Sequence, residues 1–142
     1  MTDQSKPGWF NSAVYVAVAW NLLGLIQYIA HVSITPDALA AMSAAERDLI
    51  MSMPSWATGA FALAVTAGFI GSVLLLLKKA WALQLFLIST LAVLVQNYYS
   101  FFMSKSAEVY GPVVYALPSV VLVVNLLLIL MCVNAKKQGW LS

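Results

Sequence analysis

The sequence predicts an all-α integral membrane protein, a four-helix antiparallel transmembrane bundle with a short amphipathic helix in one outer loop. Three observations predict it. Four apolar stretches, Ala13 to Val32, Trp56 to Leu77, Ala82 to Met103 and Val113 to Val133, fill most of the 142 residues. Each supplies the roughly 20 apolar helical residues that cross a hydrocarbon core about 30 Å thick. The chain is 63% hydrophobic and only 8% charged, where a soluble domain carries about 25% charged residues. Four such helices would leave a soluble globule no polar residues to cover them, so residues 1–142 read as one transmembrane domain.

The first stretch follows Lys6 and Trp9. A cleaved signal peptide competes for it, because Ala38-Leu39-Ala40 imitates a cleavage site. A signal's apolar region runs about 7–15 residues, and this stretch is longer and contains Asn21, Gln27 and His31. The outer loop, residues 33–55, then carries two helix starts. Thr35-Pro36-Asp37 places an N-cap, a proline at the first helical position and an acid in the first turn. Ser43-Ala44-Ala45-Glu46 fits a capping box. With Leu39, Met42, Leu49, Ile50 and Met53 between polar residues, the loop reads as one or two short interfacial helices, either a connector or a lid over the bundle. Lys78-Lys79 makes a tight turn and residues 104–112 a short one, and short links favour an up-down-up-down bundle.

Charge predicts orientation. If all four stretches span, Lys6, Lys78, Lys79, Lys136 and Lys137 share one side and Arg47 and Lys105 the other. Positive loops stay cytoplasmic, so both termini are expected inside a bacterial-type inner membrane. Trp9, Phe10, Trp81 and Trp140 fit the inner interfacial belt, and Trp56, Tyr98, Tyr99, Phe101, Phe102 and Tyr110 the outer one. Lys-x-x-Trp before the first and third stretches hints at an internal duplication, although lysine and tryptophan are the default boundary residues.

Polar side chains inside a membrane usually face protein. Asn21, Gly24, Tyr28 and His31 fall on one face of the first helix, with Gln27 at its edge. Tyr115, Pro118, Leu122 and Asn125 repeat that spacing in the fourth, and Gln96, Asn97, Tyr99 and Ser100 crowd the outer half of the third. Together these residues predict an outward-facing polar and aromatic cavity. Its proposed ligand-binding residues are Asn21, Gln27, Tyr28, His31, Gln96, Asn97, Tyr99, Tyr115 and Asn125. Neutral amides and phenols suit an uncharged polar or amphiphilic ligand, sugar-like, quinone-like or a lipid head. The other reading is that these groups bond one another and hold the helices together. Pro118 reads as a helix kink that could widen the cavity. Ala60, Ala64, Gly68 and Ser72 recur every four residues in the second stretch and read as a helix-packing or oligomer face.

No catalytic triad, carboxylate pair, phosphate loop or metal motif is visible, so neither an enzyme nor a cofactor is expected. His31 is the only histidine and Cys132 the only cysteine, which gives no metal set and no intrachain disulfide. A net charge of +2, spread over membrane boundaries, offers nothing to nucleic acid. The expected partners are the lipid bilayer, a small neutral or lipid-like ligand, and a homo-oligomer or larger membrane complex. In that complex the chain would serve as an accessory or assembly subunit.

Several stretches resemble a group of small bacterial four-span proteins often labelled "sugar transporter". They are Trp20-Asn21-Leu22-Leu23-Gly24, Thr35-Pro36-Asp37-Ala38-Leu39, Ala60-Phe61-Ala62-Leu63-Ala64-Val65, the run from Gly68 to Leu77, and Tyr99-Ser100-Phe101-Phe102. The resemblance implies a membrane carrier of sugar-like solutes and supplies no site residues. The chain has neither the three-span repeat nor the Pro-Gln motif of the SWEET-like carriers.

Overall fold

A computed structural model describes residues 8–142. Lys6, used above in the charge count, lies outside the described residues. Among the described residues every element is helical: α1 (Gly8–Val32), α2 (Pro36–Ala40), α3 (Ala44–Met51), α4 (Ser55–Leu76), α5 (Ala82–Tyr98), α6 (Ser106–Tyr110) and α7 (Ala116–Lys137). A π turn, Tyr99–Met103, extends α5, and a 3-10 turn, Pro112–Tyr115, leads into α7. Four of these units are long and apolar enough to cross a membrane, Gly8–Val32, Ser55–Leu76, Ala82–Met103 and Pro112–Lys137. At 22 to 26 residues each they are about 33–39 Å long, which covers a hydrocarbon core of about 30 Å. Their outward faces are apolar and bare: Leu91 is 65% exposed, Leu130 64% and Val113 72%. In water such a surface would aggregate, whereas in lipid it is solvated. The chain is a multi-pass membrane protein built as a four-helix bundle.

The local signals explain the boundaries. Thr35 caps α2 by accepting from the Ala38 amide at 3.1 Å. Ser43 caps α3 by accepting from the Glu46 amide at 3.2 Å. Arg47 then ties the two short helices together, its guanidinium donating to the carbonyls of Leu39 and Met42 at 3.1 Å each. Pro54 sits at the N-cap of α4, where its missing amide costs nothing. At the other end of α4, Lys78 takes a left-handed conformation with φ of 62°. The Lys79 amide returns to the Leu74 carbonyl at 2.8 Å, which closes the turn and reverses the chain into α5. Leu141 and Ser142 clasp this turn. The Ser142 amide donates to the Lys78 carbonyl at 2.8 Å, and the Ala80 amide donates to the Ser142 carbonyl at 2.9 Å.

Helix α1 packs on α4, α4 on α5, and α5 on α7. The first and last members of this row have no extended contact with each other. They approach only at the end that carries the Lys78–Lys79 turn, here the lysine end. There Phe10 lies against Trp140 with ring centroids 5.1 Å apart, and Phe10, Val14, Leu75, Phe86, Leu128, Cys132 and Leu141 form a buried apolar core. Towards the opposite end, which carries α2 and α3 and is here called the loop end, α1 and α7 stand apart.

The small-residue stripe of α4 faces into the bundle. Ala60, Ala64, Gly68 and Ser72 are all buried within the single chain, so it is spent on packing α4 against α1 and α5. Pro118 does not kink a continuous helix. It lies in the first turn of α7, directly after the 3-10 turn, where few amides have helical partners. It therefore marks a junction.

Candidate functional site

Between the four long helices lies a cavity of about 250 Å³. Its floor sits near half-depth. Asn21 is midway along α1, Ala64 is in the middle of α4, Ser89 is in the lysine-end half of α5, and Asn125 is near the middle of the fourth span. From there the cavity rises towards the loop end past Gly24 and Gln27 of α1, Phe61 of α4, Val93, Gln96 and Asn97 of α5, Ser100 of the π turn, and Val121, Pro118 and Leu117 of α7. Every lining side chain is uncharged, and most of the lining is apolar with amides set into it.

At the floor Ser89, Thr90 and Asn125 form a connected polar cluster, with Asn21 and Asn97 satisfied separately beside and above it. The Ser89 hydroxyl donates to the Ala64 carbonyl at 2.7 Å, and the Thr90 hydroxyl to the Phe86 carbonyl at 2.8 Å. Asn125 Nδ2 donates to both hydroxyl oxygens, at 3.2 and 3.4 Å. Asn21 Nδ2 donates to the Ala17 carbonyl at 2.9 Å, and Asn97 Nδ2 to the Pro118 carbonyl at 3.4 Å. Asn21, Ser89, Thr90, Asn97 and Asn125 are all buried. No buried side-chain nitrogen or oxygen among the described residues is left without a partner, which is what burial in a low-dielectric medium demands.

Gly68 makes this cluster fit. A Cβ there would collide with the Asn21 amide oxygen and reach the Ser89 hydroxyl at 3.3 Å. Glycine thus opens the slot through which α1 brings its asparagine against α4. The π turn serves the upper wall. The Ser104 amide bonds to the Tyr99 carbonyl five residues back, at 2.8 Å, and the wider turn carries Ser100 at the cavity while Tyr99 lies buried against Trp56. Such turns inside helices are frequent at functional sites.

Five of the nine sequence-predicted residues line this cavity: Asn21, Gln27, Gln96, Asn97 and Asn125. Four do not. Tyr28 and Phe61 meet edge to face, centroids 5.3 Å apart, and His31 tilts over the same ring at 6.1 Å. Tyr99 meets Trp56 edge-on at 5.9 Å, and Tyr115 tilts against Phe101 at 5.3 Å. Tyr28, Asn97 and Tyr115 therefore do not share one hollow, and the expected phenol lining is replaced by Trp20 and Phe61. Nor does the 33–55 loop supply a lid wall, since none of its residues lines the cavity.

The sequence reading missed Ser89 and Thr90, the acceptors beneath Asn125. The signal was present: Ser89, Val93, Gln96 and Ser100 recur at i, i+4, i+7 and i+11, one face of α5. Among the described residues no group of three or more His, Cys, Asp or Glu gathers in metal-binding range. The arrangement can bind an uncharged group at mid-membrane depth by hydrogen bonds within an apolar sleeve. The chain matches no protein-family model, no curated protein and no solved structure.

Proposed function

We propose that this protein is a small multi-pass protein of the bacterial cytoplasmic membrane that binds or carries an uncharged polar or amphiphilic ligand. It would do so without catalysing a reaction, in the cavity between its four long helices. The observation that carries this reading is the set of buried amides between half-depth and the loop end. Polar side chains are costly there and ordinarily mark function or helix association. Asn21, Asn97 and Asn125 are met by an open space of about 250 Å³ rather than by close packing alone. The absence of charge from the lining disfavours phosphate, carboxylate and ammonium groups, whose desolvation would go uncompensated. In this reading the lysine end, with Lys78, Lys79, Lys136 and Lys137, faces the cytoplasm, and the cavity belongs to the periplasmic half.

Native mass spectrometry of the protein lifted from its own membrane into polymer nanodiscs tests the reading. Wild-type protein is expected to keep one neutral small molecule per chain, and Asn125→Leu together with Asn97→Leu to lose it. Wild type that retains nothing while remaining folded overturns it. A second reading, an accessory subunit of a larger membrane complex or of a homo-oligomer, draws on the separation of α1 and α7, which leaves their facing flanks uncovered in the single chain. The same spectra separate the two, because that reading expects a retained protein chain instead of a small molecule.

A further inference from the structure

We infer that the ligand is a neutral amphiphile with a hydrogen-bond-donating hydroxyl head, and that it enters sideways from the bilayer between α1 and α7. This rests on the ligand-binding reading above and deepens it.

The head chemistry follows from the amide orientations. A carbonyl oxygen only accepts, so the Ala17 and Pro118 carbonyls oblige Asn21 and Asn97 to turn their NH2 groups towards the protein. The Ser89 and Thr90 hydroxyl protons are committed to the Ala64 and Phe86 carbonyls. Their oxygens can then only accept, and Asn125 too must present its NH2 group to them. In Asn97 and Asn125 the amide oxygen is the atom left over, and that of Asn21 lies against the Gly68 backbone. None of the three receives a hydrogen bond from a described residue, and all three residues line the cavity. A floor of acceptors selects a donor. Alcohols, phenols and polyols qualify, whereas an ether or a quinone carbonyl presents a further acceptor.

The route follows from the helix row. Leu23 of α1 and Leu117 of α7 both line the cavity and are 59% and 55% exposed, so each of these two walls is open on its outer flank. No other described helix lines the cavity between them, since α4 and α5 form the back wall. At the lysine end the gap is closed by Phe10 and Trp140. The opening therefore lies within the hydrocarbon region, on the loop-end side of the midplane. A volume of about 250 Å³ falls below the range of about 300–1,000 Å³ that encloses a whole drug-sized ligand. It suits a head group whose apolar chain stays in the lipid.

The experiment uses the full chain in phosphatidylcholine nanodiscs and a dodecan-1-ol analogue bearing an alkyl diazirine, with crosslinks mapped by peptide sequencing. The expected result is capture on α1 and α7 around Leu23 and Leu117, at least tenfold reduced by excess dodecan-1-ol and unchanged by dodecyl methyl ether or glucose. Leu23→Trp with Leu117→Trp narrows the gap without touching an amide and is expected to lower capture similarly. Competition by the ether equal to that by the alcohol overturns the donor requirement. Displacement by glucose, or capture unaffected by the tryptophan pair, overturns the lateral route while leaving cavity binding intact. If the mapped crosslinks join the α1 or α7 flank to a second protein chain, the gap is an interface and the inference fails. If neither alcohol nor glucose binds and native spectra show no retained molecule, the ligand-binding reading falls with it.

Discussion

The two ends of the bundle are built from helices of similar composition and do opposite things. At the lysine end all four helices converge on Phe10, Leu75, Phe86 and Cys132, side chains of almost no exposure, and Trp9, Phe10 and Trp140 seal them edge to face. Towards the loop end the same helices separate around amides and a hollow. The difference lies in which side chains meet. Large apolar rings interlock and exclude space, while the bonds of Asn97 to the Pro118 carbonyl and of Asn125 to the Ser89 and Thr90 hydroxyls tie α5 to α7 without filling what lies between. The lysine end acts as a clamp that keeps α1 and α7 in one molecule, so the loop end can stay open.

The largest effect that could break this division comes from the clamp. Phe86→Ala should cost about 3–5 kcal/mol, because Phe86 is fully buried. Unfolding in mixed micelles by titrated SDS measures it. A loss under about 1 kcal/mol, far from the usual cost of a core cavity, would mean that the lysine end is not the structural core. Gly68→Ala follows, at about 1–3 kcal/mol for overpacking. The added carbon displaces the Asn21 amide, so ligand retention should fall as well. Gly59→Ala, which meets open space, is the matched control and should be neutral or slightly stabilising.

The smallest expected stability change sharpens the contrast. Asn125→Leu should shift stability by no more than about 1 kcal/mol, since hydrogen bonds between membrane helices average about 0.6 kcal/mol. Ser89 and Thr90 also keep their carbonyl acceptors after the change. The same variant should nevertheless lose the retained ligand. A destabilisation equal to that of Phe86→Ala would show that the cluster is a scaffold element. Finally, Ser100→Cys at the cavity wall should react with N-ethylmaleimide roughly tenfold faster than the fully buried Cys132. Equal rates would remove the distinction between an open and a closed end.

The spans were legible because hydropathy and helix length are set by the bilayer, and the caps at Thr35 and Ser43 because capping is local. The cavity was only partly legible. Helical spacing fixes the direction of a side chain around its axis but says less about what stands opposite it. Asn21 and His31 share a face of α1, yet ten residues place them about 15 Å apart along it, and His31 finds Phe61 instead of the hollow. Tyr28, Tyr99 and Tyr115 were grouped with the amides by their polar ends, but their rings found aromatic partners first. Ser89 and Thr90 were overlooked because single hydroxyls in an apolar run are ordinarily satisfied by their own helix, as Thr90 is. Nothing in periodicity reveals which two helices of four will stand apart. That depends on the sum of packing at α1–α4, α4–α5 and α5–α7.

The π turn at Tyr99–Met103 has a consequence for how this chain tolerates change in length. A turn of this kind holds one residue more than α-helical winding would. Removing one residue there would close the wide turn to α-helical winding and re-aim the side chains within it. Trp56 would lose its neighbour and the hollow its upper hydroxyl. Insertions and deletions should therefore be absorbed readily between Ser33 and Pro54 but punished between Tyr99 and Met103, although both segments lie at the same end of the molecule.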